Sequence, residues 1–143
     1  MTIRIIIGIL LISLSSFADS FNNDTVIGKW LNADKDAHIQ IYKSGIAYYG
    51  KIIWMKNPVN ASTGKPEMDE KNPDSALQNK PILNLVILKG FTYNGEEYSD
   101  GTIYDPKGGK TYTCKMWLTG LNQLNIRGYV GIFYRTEVWT RVP

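Results

Sequence analysis

The sequence predicts an all-β domain built as an antiparallel up-and-down barrel of about eight strands, on two observations. From Thr25 onward, aromatic and β-branched residues alternate with polar ones in short runs that end at Gly and Asn turns. The turns between the later runs have the length of hairpin connections. Because closure removes the exposed edges of a flat sheet, a closed barrel is favoured over the alternative, a two-sheet β-sandwich.

The predicted strands follow one another in meander order. They are residues 28–31, 38–42, 46–54, 85–91, 97–104, 111–118, 123–133 and 136–141. Gly50, Gly101 and Gly128 interrupt three of these runs, where glycine typically marks a bulge or sharp coiling. Such coiling is what a small barrel needs to close.

The N-terminal segment has the features of a secretory signal peptide. Arg4 supplies a positive charge, residues 5–12 are apolar, and Ser16 and Ala18 are small residues at the recognition positions for cleavage. A membrane anchor is the alternative, but the apolar run falls short of the roughly 20 residues that span a bilayer. We therefore expect a signal peptide over residues 1–18 and a single periplasmic or secreted domain over residues 19–143 without a transmembrane segment.

Composition narrows the function classes. Lys and Arg outnumber Asp and Glu by only 16 to 13, which gives no electrostatic case for nucleic acid as a partner. Cys114 is the single cysteine, so no intramolecular disulfide can form, and we expect a buried, unreactive thiol. His38 is the single histidine and faces away from its apolar neighbours, so we expect a surface residue and predict no metal and no cofactor.

One long connection, residues 56–84, breaks the regular spacing. Asn72 is a suitable N-cap, Pro73 suits the first helical position, and Asp74 suits the first turn. We expect one short helix inside a loop that covers one end of the barrel. Asp69 is predicted to pin this loop to the barrel through backbone amides.

Two tryptophan motifs bracket the barrel. Gly28 and Trp30 open the first strand, and Trp139 and Arg141 lie in the last. First and last strands meet in a closed barrel, so we expect the Arg141 guanidinium to stack on the Trp30 indole and seal it.

With these motifs the chain resembles the bacterial envelope family catalogued as domain of unknown function 2147. The resemblance extends from Gly28 to Arg141. It rests on Gly28-Lys29-Trp30, Tyr49-Gly50-Lys51-Ile52, Asp69 with Asn72-Pro73-Asp74, Gly101-Thr102-Ile103-Tyr104-Asp105-Pro106 with Gly109-Lys110 and Tyr112, Arg127-Gly128-Tyr129, and Trp139-Thr140-Arg141. It implies a secreted or periplasmic lipocalin-like barrel and brings no established reaction.

The aromatic residues on the strands are the strongest indication of binding. Aromatic side chains with one or two polar groups are typical of small-molecule pockets, although they also fill small barrels by packing alone. The candidate ligand-binding residues are Tyr48, Trp54, Tyr104, Arg127 and Tyr129. An inward Arg127 would need a carboxylate or an anionic ligand, but the parity of its strand neighbours leaves its direction open.

Three hypotheses about function follow. The first is a barrel that binds a small apolar or amphipathic molecule, anionic at one end if Arg127 faces inward. The second, of almost equal weight, is a structural or interaction protein of the envelope with a solid core and a protein partner that the sequence does not identify. An enzyme is the weakest hypothesis, because no catalytic motif is present and acid or base chemistry would fall to His38, Asp69 or Asp105.

Overall fold

The computed structural model describes residues 22–143, which form a closed barrel of eight antiparallel strands in sequential order. The predicted fold class is thereby confirmed, and the β-sandwich alternative is excluded. The strands are β1 (Gly28–Leu31), β2 (Ala37–Ser44), β3 (Ala47–Met55), β4 (Val86–Tyr93), β5 (Tyr98–Asp105), β6 (Lys110–Leu118), β7 (Gln123–Val130) and β8 (Phe133–Arg141). The predicted signal peptide lies outside the described residues.

The meander order fixes the two ends of the barrel. The connections β1–β2, β3–β4, β5–β6 and β7–β8 all lie at one end, which we term the open end, and the other three lie at the closed end. In an eight-stranded ring the β1–β2 turn is diametrically opposite the β5–β6 turn. Closure is made by β8 against β1, in a register that pairs Trp30 with Arg141.

The closed end is filled by large buried side chains. Trp30, Tyr48, Phe91 and Tyr98 are almost completely buried, and the rings of Tyr48 and Tyr98 meet edge to face with centroids 5.1 Å apart. The segment before β1 covers this end of the barrel, because the Tyr48 hydroxyl donates to Asp24 Oδ1 at 2.8 Å and the Tyr98 hydroxyl to the Asn23 carbonyl at 2.6 Å.

The long β3–β4 connection carries the short helix that was predicted, but the helix begins later. It is a single 3₁₀ turn, Ser75–Leu77, and its N-cap is Asp74, whose side chain accepts from the Ala76 amide at 3.0 Å. Asn72 therefore does not cap the helix. Its Oδ1 accepts from the Asp74 amide at 2.8 Å, which places the capping carboxylate, and Pro73 lies between the two.

Register shifts accompany two of the three interior glycines. The β3–β4 register shifts at Gly50, and the β5–β6 register shifts between Tyr98 and Gly101. Gly128 is different, because its pairing with both neighbouring strands is continuous. Of the two alternatives expected at Gly128, a bulge or sharp coiling, the bulge is therefore wrong, and the missing side chain of Gly128 leaves space inside the barrel.

Candidate ligand-binding cavity

The open end of the barrel contains a cavity of about 990 Å³. Its deeper wall is predominantly aliphatic, whereas charged residues from the loops surround its mouth. The apolar lining is contributed by Ile39, Ile52, Met55, Met68, Ile82, Ile87, Ile103, Ile126, Val130, Phe133 and Trp139. An apolar chamber with a polar rim is suited to a molecule that is itself apolar or amphipathic.

An ion-pair bridge crosses the mouth. Lys107 in the β5–β6 turn places its Nζ 3.0 Å from Asp36 Oδ2 and 3.5 Å from Asp34 Oδ2, both in the opposite β1–β2 turn. Burial alone would raise the pKa of Asp36, but hydrogen bonds from Asn32 and Lys107 outweigh it and lower this pKa below 3.8. The hydrogen bond to Asp36 in turn raises the pKa of Lys107 above 10.5. Both groups are therefore charged at neutral pH.

A buried carboxylate fixes the β3–β4 loop beside the cavity. Asp69 is 1% exposed, and it accepts from the Tyr104 hydroxyl at 2.6 Å and from Asn72 Nδ2 at 2.8 Å. The pKa of Tyr104 is raised to about 12, mainly by burial and next by the hydrogen bond to Asp69. The Asp69 carboxylate thus holds the loop through these side chains rather than through the backbone amides that we expected.

The inner face of β8 adds charge to the apolar wall. Trp139 is buried, and its Nε1 donates to Glu137 Oε2 at 3.4 Å. Arg135, nearer the mouth, places Nη2 3.7 Å from Glu137 Oε1 while its side chain remains 83% exposed. Glu137 is therefore a carboxylate inside the cavity, and its two polar neighbours, Trp139 and Arg135, lie 3.4 and 3.7 Å from its oxygens.

The predicted ligand-binding residues separate into different environments. Tyr104 lines the cavity, whereas Tyr48 belongs to the packed closed end. Trp54 was predicted to bind ligand, but it is 41% exposed and its ring is tilted by 36° against that of His38, with centroids 4.4 Å apart. The reason is a bulge: His38 pairs with Trp54 while Ile39 pairs with Ile52. The extra residue inverts the alternation.

Arg127 and Tyr129 also lie on the outer face. The Arg127 guanidinium lies 4.9 Å from the Trp117 ring and 4.3 Å from the Tyr134 ring, and its Nε donates to Thr136 Oγ1 at 2.8 Å. Tyr129, two residues on, neighbours Tyr134 with centroids 6.0 Å apart. The inward alternative for Arg127 is therefore wrong, and the anionic ligand group that depended on it loses its support.

Three of the four residues assigned to barrel closure lie at the β1–β8 junction. Arg141 Cζ is 4.3 Å from the Trp30 ring centroid, and a Cβ on Gly28 would come within 2.6 Å of Arg141 Nη1. Trp139 does not take part in this contact. It faces the interior at the base of the cavity and pairs with Leu124 on the neighbouring strand β7.

Glu137 and the Lys107 bridge were missed by sequence reasoning. The alternation along β8 could have placed Glu137 on the same face as Trp139, because the two are separated by one residue. No sequence signal links Lys107 to Asp36, since their contact depends on closure of the barrel.

The remaining reactive residues lie apart from one another. His38 is on the outer face, Asp69 is engaged by Tyr104 and Asn72, and Asp105 Oδ1 accepts from the Lys107 amide at 3.0 Å. Cys114 is buried, and burial raises the pKa of its thiol to about 12. Within residues 22–143, no group of three His, Cys, Asp or Glu side chains is arranged to hold a metal ion. The same part of the chain has no helix of the length and apolarity that a membrane span requires.

A meander barrel packed at one end and opening on an apolar cavity at the other defines a lipocalin-like barrel protein. Residues 28–141 match the family model described as "Uncharacterized protein conserved in bacteria (DUF2147)", and the chain belongs to this family. The predicted family is thus confirmed.

Among solved structures, the chain is similar to protein HP1028 from the human pathogen Helicobacter pylori, which is described as belonging to the lipocalin family. The TM-score is 0.71 with 20% sequence identity, over 82% of each chain. This likeness concerns the fold. No curated protein matches the chain significantly.

Proposed function

We propose that this protein is a non-enzymatic binding barrel of the bacterial envelope that holds a small apolar or amphipathic molecule in its open-end cavity. The observation that carries the proposal is the cavity itself. Its volume of about 990 Å³ is at the upper end of the range typical of small-molecule sites, roughly 300–1,000 Å³. A barrel stabilised by packing alone would be expected to fill this space with side chains.

Gly128 provides a direct test of the cavity. It lines the chamber, and a Cβ there would make only ordinary contacts, the closest at 3.7 Å to Tyr112 Cβ. Gly128→Leu should therefore place an apolar side chain in the chamber and narrow it without straining the backbone. Thr113→Leu is the matched control, because Thr113 is exposed on the adjacent strand.

Native mass spectrometry of the purified proteins gives the measurement. We expect a co-purified small molecule on the wild type and on Thr113→Leu, and a smaller bound fraction on Gly128→Leu. A wild-type protein that carries no small molecule and binds no apolar probe would argue against the proposal.

Export to the envelope is part of the proposal and is supported by the leader-like composition of residues 1–18. Fractionation of bacteria that express the full chain tests it. We expect the protein in the periplasm or medium, with an N-terminus that begins after Ala18. Retention of the leader in the membrane fraction would favour the anchor alternative.

An interaction protein is the second candidate, and one observation favours it. The tip of the β7–β8 hairpin exposes neighbouring apolar side chains: Ile132 is 89% exposed and Phe133 is 73% exposed. Exposed apolar patches of this kind often mark interaction sites. Crosslinking in the native envelope should then recover a partner that is lost in an Ile132→Ser and Phe133→Ser double variant. A chamber of this size argues against the solid core that this hypothesis originally included.

A further inference from the structure

We propose that Glu137 selects ligands that carry a positively charged group, such as an ammonium, attached to an apolar body. The inference rests on the proposed function, because it names the ligand class for the same cavity. Its basis is the position of one carboxylate on a predominantly apolar wall.

Glu137 projects from the middle of β8 into the chamber. It pairs across the sheet with Ile126, which also lines the cavity, and Phe133 at the mouth lies four residues away along the same strand. Its side chain is 33% exposed, and the indole N–H of Trp139 holds one carboxylate oxygen at 3.4 Å. The other oxygen is directed toward Arg135 rather than buried in the wall.

A carboxylate in an apolar site is costly unless a cation or hydrogen-bond donor satisfies it. Arg135 supplies that cation at 3.7 Å, but the guanidinium side chain is 83% exposed. An exposed ion pair contributes little, so Arg135 can turn toward solvent at small cost when a ligand cation replaces it. Glu137 is therefore available to an entering ammonium group.

The charges around the chamber favour the same ligand class. Cavity-lining carboxylates outnumber cavity-lining cations, and Lys107 is already paired across the mouth. The carboxylates are Asp34, Asp36, Glu67, Glu70, Asp105 and Glu137, and the cations are Lys71, Lys107 and Arg135. Because Arg127 lies outside the barrel, it cannot compensate, and the local field disfavours anions such as fatty-acid carboxylates.

Three probes of equal chain length test the proposal: dodecylamine, dodecanol and dodecanoate, each below its solubility limit or micelle concentration. Each competes with a neutral fluorescent dye bound in the cavity of the purified protein. We expect dodecylamine to bind about tenfold more tightly than dodecanol, and dodecanoate to bind more weakly than dodecanol. If dodecanoate binds as tightly as dodecylamine, the inference is wrong.

Two variants localise the effect to Glu137. Glu137→Gln keeps an acceptor for Trp139 and removes the charge, so it should abolish the preference for dodecylamine and leave dodecanol binding unchanged. Arg135→Gln, at an exposed position, should tighten dodecylamine binding severalfold. Glu97→Gln is the matched control, because Glu97 pairs with Lys115 away from the cavity, at 3.2 Å.

The outcomes separate the two proposals. Binding of dodecanol without discrimination by charge, or an equal loss of all probes in Glu137→Gln, leaves the cavity proposal intact and refutes the role of Glu137. Failure of all three probes and of the dye to bind the wild type overturns the proposed function and this inference with it.

Discussion

The guanidinium of Arg141 is held over the Trp30 indole by three backbone carbonyls. Its Nη2 donates to Thr25 O at 2.6 Å, its Nη1 to Ile27 O at 3.0 Å, and its Nε to Leu121 O at 2.6 Å. The indole N–H in turn donates to Val26 O at 2.9 Å. One side chain therefore joins the pre-β1 segment, β1, the β6–β7 turn and the end of β8, which is where the barrel closes.

Trp30→Ala should cost about 3 to 5 kcal/mol in the free energy of unfolding, because it leaves a cavity among fully buried residues. Arg141→Ala should cost less. Since the two side chains touch, the double variant should cost less than the sum of the single variants, as measured in a chemical-denaturation cycle. Arg135→Ala, at an exposed position, is the control, and strict additivity would mean that the Arg141–Trp30 contact is absent.

Tyr104→Phe should loosen the β3–β4 loop. The change removes the hydroxyl that donates to Asp69 and leaves this buried carboxylate with the hydrogen bond from Asn72, at a cost of about 1 to 3 kcal/mol. Hydrogen exchange should accelerate over residues 57–84. Tyr134→Phe, at a position that is 61% exposed, should change neither quantity, and equal behaviour of the two variants would contradict the role of Asp69.

Gly109→Ala should destabilise the protein more than Gly45→Ala. The two glycines have nearly the same φ, 66° and 63°, so both substitutions incur the same left-handed strain. A Cβ on Gly109 would clash with the Lys71 carbonyl, whereas a Cβ on Gly45 has nothing within 4 Å. Gly45→Ala should cost about 1 kcal/mol and Gly109→Ala clearly more, and equal costs would show that the loop does not dock on the β5–β6 turn.

Cys114 should be unreactive in the folded protein. Burial raises its pKa to about 12, so at about pH 8 the thiol is protonated as well as shielded. Labelling by Ellman's reagent should proceed at the rate of unfolding, and urea should make it fast. Since Cys114 is the single cysteine, rapid stoichiometric labelling without urea would contradict its burial directly.

Lys107→Ala should speed ligand exchange and change stability by less than about 1 kcal/mol, because the bridge is exposed but spans the mouth. Lys110→Ala, at an exposed position where β6 begins, is the control. The pKa of Asp36 is lowered in the folded protein. Its contribution to the stability of the bridge is therefore present above pH 3.8 and is lost as the pH falls through its folded pKa. The pKa of Lys107 is raised in the folded protein. Its contribution to the stability of the bridge is therefore present below pH 10.5 and is lost as the pH rises through its folded pKa. Wild-type exchange, followed by stopped-flow dye release, should therefore be slow across neutral pH and faster at both extremes.

The sequence by itself determined the barrel and its closure. Alternation with period two and hairpin-length turns are local properties, and together with the cost of open edges they define an up-and-down barrel. The contact between Trp30 and Arg141 could be predicted from the sequence, because the first and last strands of a closed meander must be neighbours.

Only the tertiary structure decided what the barrel interior contains. One extra residue in β3 inverts the alternation and moves Trp54 outward, and uninterrupted pairing of β7 keeps Arg127 on the outer face. Neither a bulge nor its absence is visible in side-chain alternation, because both depend on the hydrogen-bond register with the next strand. The cavity, with the carboxylate of Glu137 inside it, exists because the inward side chains of β2 to β8 leave space at one end, which is a property of the closed sheet and not of any single strand.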